Sequence, residues 1–499
     1  SFQINGFNVY AYNVLTVLDE DFKEKKYGHR ETEHFHVKME KKELEIMWPY
    51  LEMFLEPAYE RLTVKYGMKP GGPKEYGGKI LIVVLPDHDK FSARTVGLPG
   101  LFALGACFGQ VITMPSPRYG RARPSGPFHW RHVLEHEFTH VVTLQKTRYR
   151  IPLWLTEGIS VMEDTDPHLG LDRTIVWALK NDILYPIEDM NQGFTRPKFP
   201  QQVELSYFHA SLIVKHLMKL CGEDGMRDVL SKLAEGGDAA KLLPEAAGTD
   251  LKTLNESTMD FVKAELSSIA VSVPVDEERV KELEAVEEDK RSADQWAEMA
   301  SYQLHVDEVE KSRAAAERAI RTDAKCVRAH GILGFIAYKT DKKTSEAKKH
   351  FLKAKQLDEN YFSARLYLGE IAEEKGASKE AIEEFEAARR IYPRFSQGPQ
   401  SPYLRLAELY EKAGKSDKAV GVLRDLMKID DTNLKAQVKL GELLTAQKKP
   451  AEAAEAYLSA LFIDPYEVET HKALAEACQA AGDKAGAERE RRIIEILEK

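Results

Sequence analysis

The chain has 499 residues, 43% of them hydrophobic and 30% charged, with a formal net charge of −9. That length exceeds what one core supports and sets an expectation of about two to four domains. The acidic balance, with no strongly basic block, argues against nucleic acid as the main partner, and the longest apolar runs, such as 80–85, are far too short for a membrane span.

Residues 1–128 mix strand and helix patterns. Residues 42–67 carry apolar side chains at helical spacing, with Pro49 expected to kink or break the helix. The run ILIVVL at 80–85, bounded by Gly77-Gly78 and Pro86, reads as a buried strand, and GQVITM at 109–114 as a second one. Residues 129–268 read as mostly helical, punctuated at Pro152, Pro186, Pro197 and Pro200. Residues 269–292 turn acidic and lose apolar density, as a linker or bridging helix would.

From 293 to 499 the sequence repeats itself. Leu-Gly or Leu-Ala pairs recur with their small residues at Gly334, Gly369, Ala407, Gly441 and Ala475, in steps of 35, 38, 34 and 34. Each is followed by a second helix pattern rich in Ala and a large apolar residue, as at Ala381, Phe385 and Ala388. The small residues let two helices approach and the aromatics fill the gap between them. This resembles the tetratricopeptide repeat. With a weaker first unit at 296–322 and an insertion at 394–402, about six repeats are expected. They are expected to bury their own faces against one another and to need no help from residues 1–268.

The four cysteines (Cys107, Cys221, Cys326 and Cys478) form no C-x-x-C pair, so neither a cysteine metal site nor a redox motif is supported. A different set of residues has metal-ligand spacing. His136-Glu137-Phe138-Thr139-His140 lies in fifteen residues free of Pro and Gly. Residues four apart share a helix face, so His136 and His140 can aim two imidazoles at one ion, with Glu137 one step round to serve a water. His132, one turn earlier, is expected to be exposed or to sit behind a ligand, because a straight helix cannot wrap three residues over two turns around one small ion. Glu157, 17 residues after His140 in LWLTEGISVMED, is placed to enter from a second helix as third ligand.

HEFTH followed by WLTEG resembles the thermolysin-like (gluzincin) zinc metallopeptidases, in particular peptidase MA-like domains fused to tetratricopeptide repeats. The resemblance extends over roughly 25–268. It implies an α+β zincin-like metallopeptidase domain at 1–268, with a sheet-bearing half (1–128) and a helical half (129–268), followed by an all-α repeat superhelix at 293–499. It also implies zinc held by His136, His140 and Glu157, with Glu137 as base and acid. Tyr207, or next His209, would steady the oxyanion, and 109–114 would be the edge strand that receives substrate backbone. Many such enzymes carry a carboxylate four residues after the ligand Glu, where this chain has Val161. The helical phase of Glu163 and Asp164 is not expected to suit them to replace it. The substrate is expected to be a peptide or protein, with a protein partner in the repeat groove open. The alternative is a catalytically silent peptide-binding scaffold acting through its repeats. The chain starts at Ser1 without a signal-like stretch, which leaves cytoplasmic and exported settings both open.

Overall fold

The structure, a computed structural model, describes residues 26–96, 103–122, 126–164, 169–267, 269, 275, 277–396, 398 and 401–499. It divides into two compact units. The first comprises Ser1–Pro167, Tyr185–Val262 and Asp431–Lys499, and the second His168–Leu184 and Lys263–Asp430.

In the first unit five strands form one sheet in the order β1-β2-β3-β5-β4. They are β1 (Tyr27–Glu31), β2 (Phe35–Glu40), β3 (Ile80–Leu85), β4 (Ala106–Cys107) and β5 (Val111–Pro115). β3 is parallel to both β2 and β5, and every residue of its ILIVVL run is buried. A central strand covered on both faces has no solvent side, which is why its sequence does not alternate. β4 pairs antiparallel outside β5, through Ala106 with Thr113 and Cys107 with Ile112. The edge next to the expected site is therefore β4. The segment 109–114, expected there from the resemblance, lies one strand further in.

Four helices of this unit matter below: α1 (Lys41–Tyr66), α2 (Trp130–Lys146), α3 (Leu153–Asp164) and α4 (Gln202–Ala234). α1 runs through both Pro49 and Pro57 without ending, so of the kink or break expected at Pro49 the break does not occur. An interior proline costs about 3 kcal/mol. Burial of Met47, Tyr50, Leu51, Phe54 and Leu55 along the same turns offsets that cost. α4 bends at Gly222, whose φ of 65° and ψ of −175° leave the helical region. α3 packs closely on α4 because Gly158 has no side chain: a Cβ there would stand 2.6 Å from the Ala210 carbonyl oxygen.

The last two helix pairs of the repeat region belong to this unit. They are α5 (Leu434–Ala446) with α6 (Pro450–Leu461), and α7 (Val468–Ala481) with α8 (Lys484–Leu497). Trp130, fully buried at the start of α2, donates its indole N–H to the Leu461 carbonyl at 3.0 Å. Tyr50 of α1 donates to Glu490 of α8 at 2.6 Å, and Glu490 also holds His471 at 2.7 Å. These pairs thus bury surface against α1 and α2 as well as against each other, which the repeat pattern alone did not predict.

The second unit holds four helix pairs: Ala293–His305 with Val309–Thr322, Val327–Phe335 with Thr344–Leu357, Phe362–Glu374 with Ser378–Ile391, and Pro402–Lys412 with Ser416–Met427. A π-turn at Ile336–Thr340 extends the first helix of the second pair. The small repeat residues do what their spacing predicts. A Cβ at Gly369 would stand 2.7 Å from the Phe385 ring, and one at Gly334 would stand 2.8 Å from Phe351. Asp172, buried in this unit, takes hydrogen bonds from Tyr392 at 2.7 Å and Arg394 at 2.8 Å. In the stretch 269–292 a helix occupies Glu277–Glu284, while residues 270–274 and 276 lie outside the described residues. Residues 397, 399 and 400 of the 394–402 insertion also lie outside them.

Candidate metal centre

The His-Glu-x-x-His string lies in the middle of α2, and the structure brings three donor atoms together. His140 Nε2 is 3.1 Å from His136 Nε2 and 3.1 Å from Glu157 Oε2. His136 Nε2 is 3.4 Å from the same carboxylate oxygen. A tetrahedral zinc with bonds of about 2.0–2.1 Å sets its ligands about 3.3 Å apart, so this triangle fits such an ion without rearrangement. Glu157 reaches it because Leu153–Asp164 is a second helix, brought back across α2 by the turn at 147–152.

Both imidazoles are fixed from behind. His136 Nδ1 donates to Asp164 Oδ2 at 2.7 Å, and His140 Nδ1 pairs with Thr156 Oγ1 at 2.8 Å. Thr156 Oγ1 also meets Thr143 Oγ1 at 2.8 Å. A proton on each Nδ1 leaves each Nε2 lone pair facing the centre, the arrangement a metal-binding histidine needs. The expectation that Asp164 has the wrong phase is corrected here, whereas Glu163 turns instead to Arg61, Tyr66 and Lys65. Asp164 is seven residues after Glu157, two helical turns, and so lies on the same face. Val161 is buried, and Asp164 takes the supporting role one turn on.

Three carboxylates, Glu137, Glu157 and Asp164, crowd around two imidazoles. Burial would raise the Glu157 carboxyl, but the charge and hydrogen bonds of His140 and His136 hold it down to about 2. Burial lowers the proton affinity of His136, and the hydrogen bonds to Asp164 and Glu157 more than reverse this, leaving it well above its usual value. Glu137 is pushed up by burial, against the pull of the two histidines. This excess of negative charge in a buried site is what a divalent cation neutralises.

Glu137 also sits under the loop leading into β4. A Cβ added at Gly105 would fall 2.4 Å from Glu137 Oε1, so only glycine lets the backbone come this close to the carboxylate. Cys107 on the same edge has its thiol pushed up by burial and by the charges of Glu137 and Glu157.

Tyr207 and His209 part company. Burial raises the Tyr207 phenol, and the charges of Glu157 and Glu137 raise it further. Its ring packs edge-on against Phe194 at 5.0 Å. His209, two residues on, points to the other side of α4. It is 3% exposed and burial alone pushes it down to about 4, with no charge of the centre acting on it. His132 is not exposed, against one of the two expectations for it. It is buried and paired with Asp431 at 3.2 Å. Asp164 was legible as a residue seven after Glu157. Thr156 and Gly105 carry no comparable signal in one sequence.

Comparison with known proteins agrees with these two textures. The Peptidase MA superfamily profile matches residues 127–264, and a tetratricopeptide repeat profile matches 357–394 and 404–468. Human tetratricopeptide repeat protein 7B is 35% identical over 100 residues, 20% of this chain and 11% of that protein. The human protein O-mannosyl-transferase TMTC3 is 27% identical over 139 residues, 26% of this chain and 15% of that protein. The chain therefore spans only a small part of the length of either relative. Among solved structures, MamA covers 34% of this chain and 91% of its own, with a TM-score of 0.30 and 18% identity. YrrB, described as a TPR protein with an unusual peptide-binding site, covers 37% and 93%, with a TM-score of 0.32 and 18% identity. No helix of the described residues is long and apolar enough to cross a membrane. A Peptidase MA superfamily domain and tetratricopeptide repeats are both present in this chain.

Proposed function

We propose that this protein is a zinc-dependent metallopeptidase of the gluzincin kind, whose repeats serve protein or peptide interaction. The functional division is a peptidase domain at 1–268 and repeats at 293–499, although the last repeats share a compact unit with the peptidase residues. The observation that carries the reading is the convergence of His136, His140 and Glu157 at 3.1–3.4 Å with the Glu137 carboxylate buried beside them. A pure binding module needs neither the three-donor triangle nor a fourth, acidic residue next to it.

His136, His140 and Glu157 would hold the ion, which when bound lowers the pKa of a water and polarises the scissile carbonyl. Glu137 accepts the proton of the attacking water. It then delivers that proton to the leaving amine nitrogen. Tyr207 donates its phenolic hydrogen to the carbonyl oxygen as negative charge builds there. Its raised pKa keeps the hydroxyl protonated for that role. His209 is the weaker candidate, since its neutral ring lies in the core. Asp164 and Thr156 hold the two imidazoles in one orientation. A peptide or protein substrate would lie along the β4 edge, adding a strand to the sheet.

The test combines metal content with turnover of a mixed peptide library. One zinc bound in the triangle should be lost in His136→Ala and in His140→Ala. Glu137→Gln should keep that zinc and lose activity by about 10²–10⁴-fold. Bound zinc without turnover in the unmodified chain would instead support the catalytically silent scaffold.

A further inference from the structure

One turn before the candidate centre, α2 begins with a second group of metal-ligating side chains that the peptidase chemistry does not use. His129 caps the helix and His132 follows three residues later, so both rings emerge on one face of the first turn. Their planes stack with centroids 3.6 Å apart and 28° between them. Asp431, in the turn before α5, closes the group from the repeat side, its Oδ2 3.2 Å from His132 Nε2. One donor atom from each of the three residues lies within 4.8 Å of the others. The two histidines are 8% and 7% exposed, while the Asp431 side chain keeps 37% exposure and opens the group to solvent.

We propose that His129, His132 and Asp431 form a second, structural binding site for a zinc-class divalent cation. Two imidazoles and one carboxylate are the same donor set as the catalytic triangle, and nitrogen with oxygen donors suits zinc, cobalt and nickel better than calcium or magnesium. The 3.2 Å separation of His132 Nε2 and Asp431 Oδ2 already matches two ligands on one tetrahedral ion. A simple ion pair with Asp431 needs one histidine. The second, His129, caps α2 and also brings a donor atom within 4.8 Å of those of His132 and Asp431. Binding has a definite cost. His129 Nδ1 accepts a long 3.2 Å hydrogen bond from His132 N, which leaves the ring proton on Nε2, so ligation by either nitrogen displaces that bond or that proton. The bound ion would fasten the first turn of α2 to Asp431, and so the helix of Glu137 to the last repeats. This site stands or falls apart from the peptidase reading.

The experiment is metal analysis of the full chain after loading with zinc and exhaustive dialysis, repeated with cobalt for its ligand-field spectrum. The unmodified chain should hold about two zinc ions. His136→Ala should keep one, and His136→Ala combined with His132→Ala should keep none. Asp431→Asn, a milder change, should lower the second-site affinity at least tenfold and remove the zinc-dependent rise in Tm. One zinc in the unmodified chain, lost entirely in His136→Ala, would overturn the proposal while leaving the catalytic triangle intact. A second zinc that survives both His132→Ala and Asp431→Asn would overturn it equally. A zinc retained in His136→Ala and lost with His132 would support it, whether or not the protein cleaves peptides.

Discussion

Glu137 and Tyr207 have different environments, and the difference predicts different losses. Glu137 is buried beside both histidines, so its replacement removes a proton acceptor and leaves the metal ligands in place. Tyr207 is half-buried, and the charges of Glu157 and Glu137 act on its phenol. Tyr207→Phe should therefore lower kcat by about 10²-fold with zinc content unchanged; full activity in that variant would remove Tyr207 from the mechanism. Asp164 acts one atom further out, through His136 Nδ1. Asp164→Asn should weaken zinc about 10–100-fold, read by competition with a chelator, with less effect on the rate of metal-saturated protein. The convergence of His136, His140 and Glu157 was legible because a metal site needs fixed residue types at helical spacing. Asp164 was legible in principle, since seven residues return a helix to the same face, but the family habit of a four-residue step drew attention to Val161 instead. Thr156 was not legible: a threonine beside a ligand is common, and only the packing of α3 on α2 brings its hydroxyl to His140.

At the scale of the helix, α3 is held at both ends. Its N-terminal turn carries Thr156 and Glu157 into the centre, and its C-terminal turn carries Glu163 back to α1. Glu163 Oε2 takes a hydrogen bond from Arg61 at 2.6 Å, and Oε1 takes one from Tyr66 at 2.6 Å and pairs with Lys65 at 2.5 Å. Arg61 also bridges to Glu135 of α2, so three helices share one charged knot. Burial would raise the Glu163 carboxyl, but Lys65, Tyr66 and Arg61 hold it below its usual 4.5. A depressed carboxyl contributes stability that is fully present above its unfolded value and is lost as pH falls through its folded one. Glu163→Gln should therefore cost about 1–3 kcal/mol at neutral pH, less than a fully buried pair because Arg61 is 44% exposed. The difference from the unmodified protein should shrink below about pH 4.5. Urea denaturation of both proteins across that range measures it, and a constant difference would mean that the knot contributes through packing and not through charge. The strand at 80–85 was readable from its unbroken apolar run, whereas the continuity of α1 through two prolines was not, because local backbone chemistry argues for a break and only tertiary burial overrides it.

For the whole molecule, the instructive difference concerns where the repeats belong. A repeat pattern reports that each helix pair packs on the next, and it carries no mark of which pairs also pack on something else. In the first unit the outward side chains supply that mark. Tyr50 and Glu490 are both fully buried, and Glu490 receives Tyr50 at 2.6 Å, His471 at 2.7 Å and Arg489 at 2.6 Å. Burial would raise this carboxyl, and its hydrogen bonds with His471 and Tyr50 hold it below the usual range, so it enters the interior as a paired charge. Ser116, just after β5, and Tyr466, in the turn before α7, both donate to Glu43 of α1, at 2.7 and 3.2 Å. Ending the chain at Asp430 strips these partners from α1 and exposes Trp130, at about 1.5–3 kcal/mol for each large side chain returned to water. Such a protein should show a much lower Tm than the full chain, with the zinc of the catalytic triangle lost together with the fold. Glu490→Ala in the full chain should reproduce part of this, by about 3–5 kcal/mol, because it leaves His471 and Arg489 without their carboxylate. If the protein ending at Asp430 instead melts like the full chain and keeps its zinc and peptide turnover, the repeats contribute nothing to the peptidase core. Their contacts with α1 and α2 would then be incidental to the stability of the site.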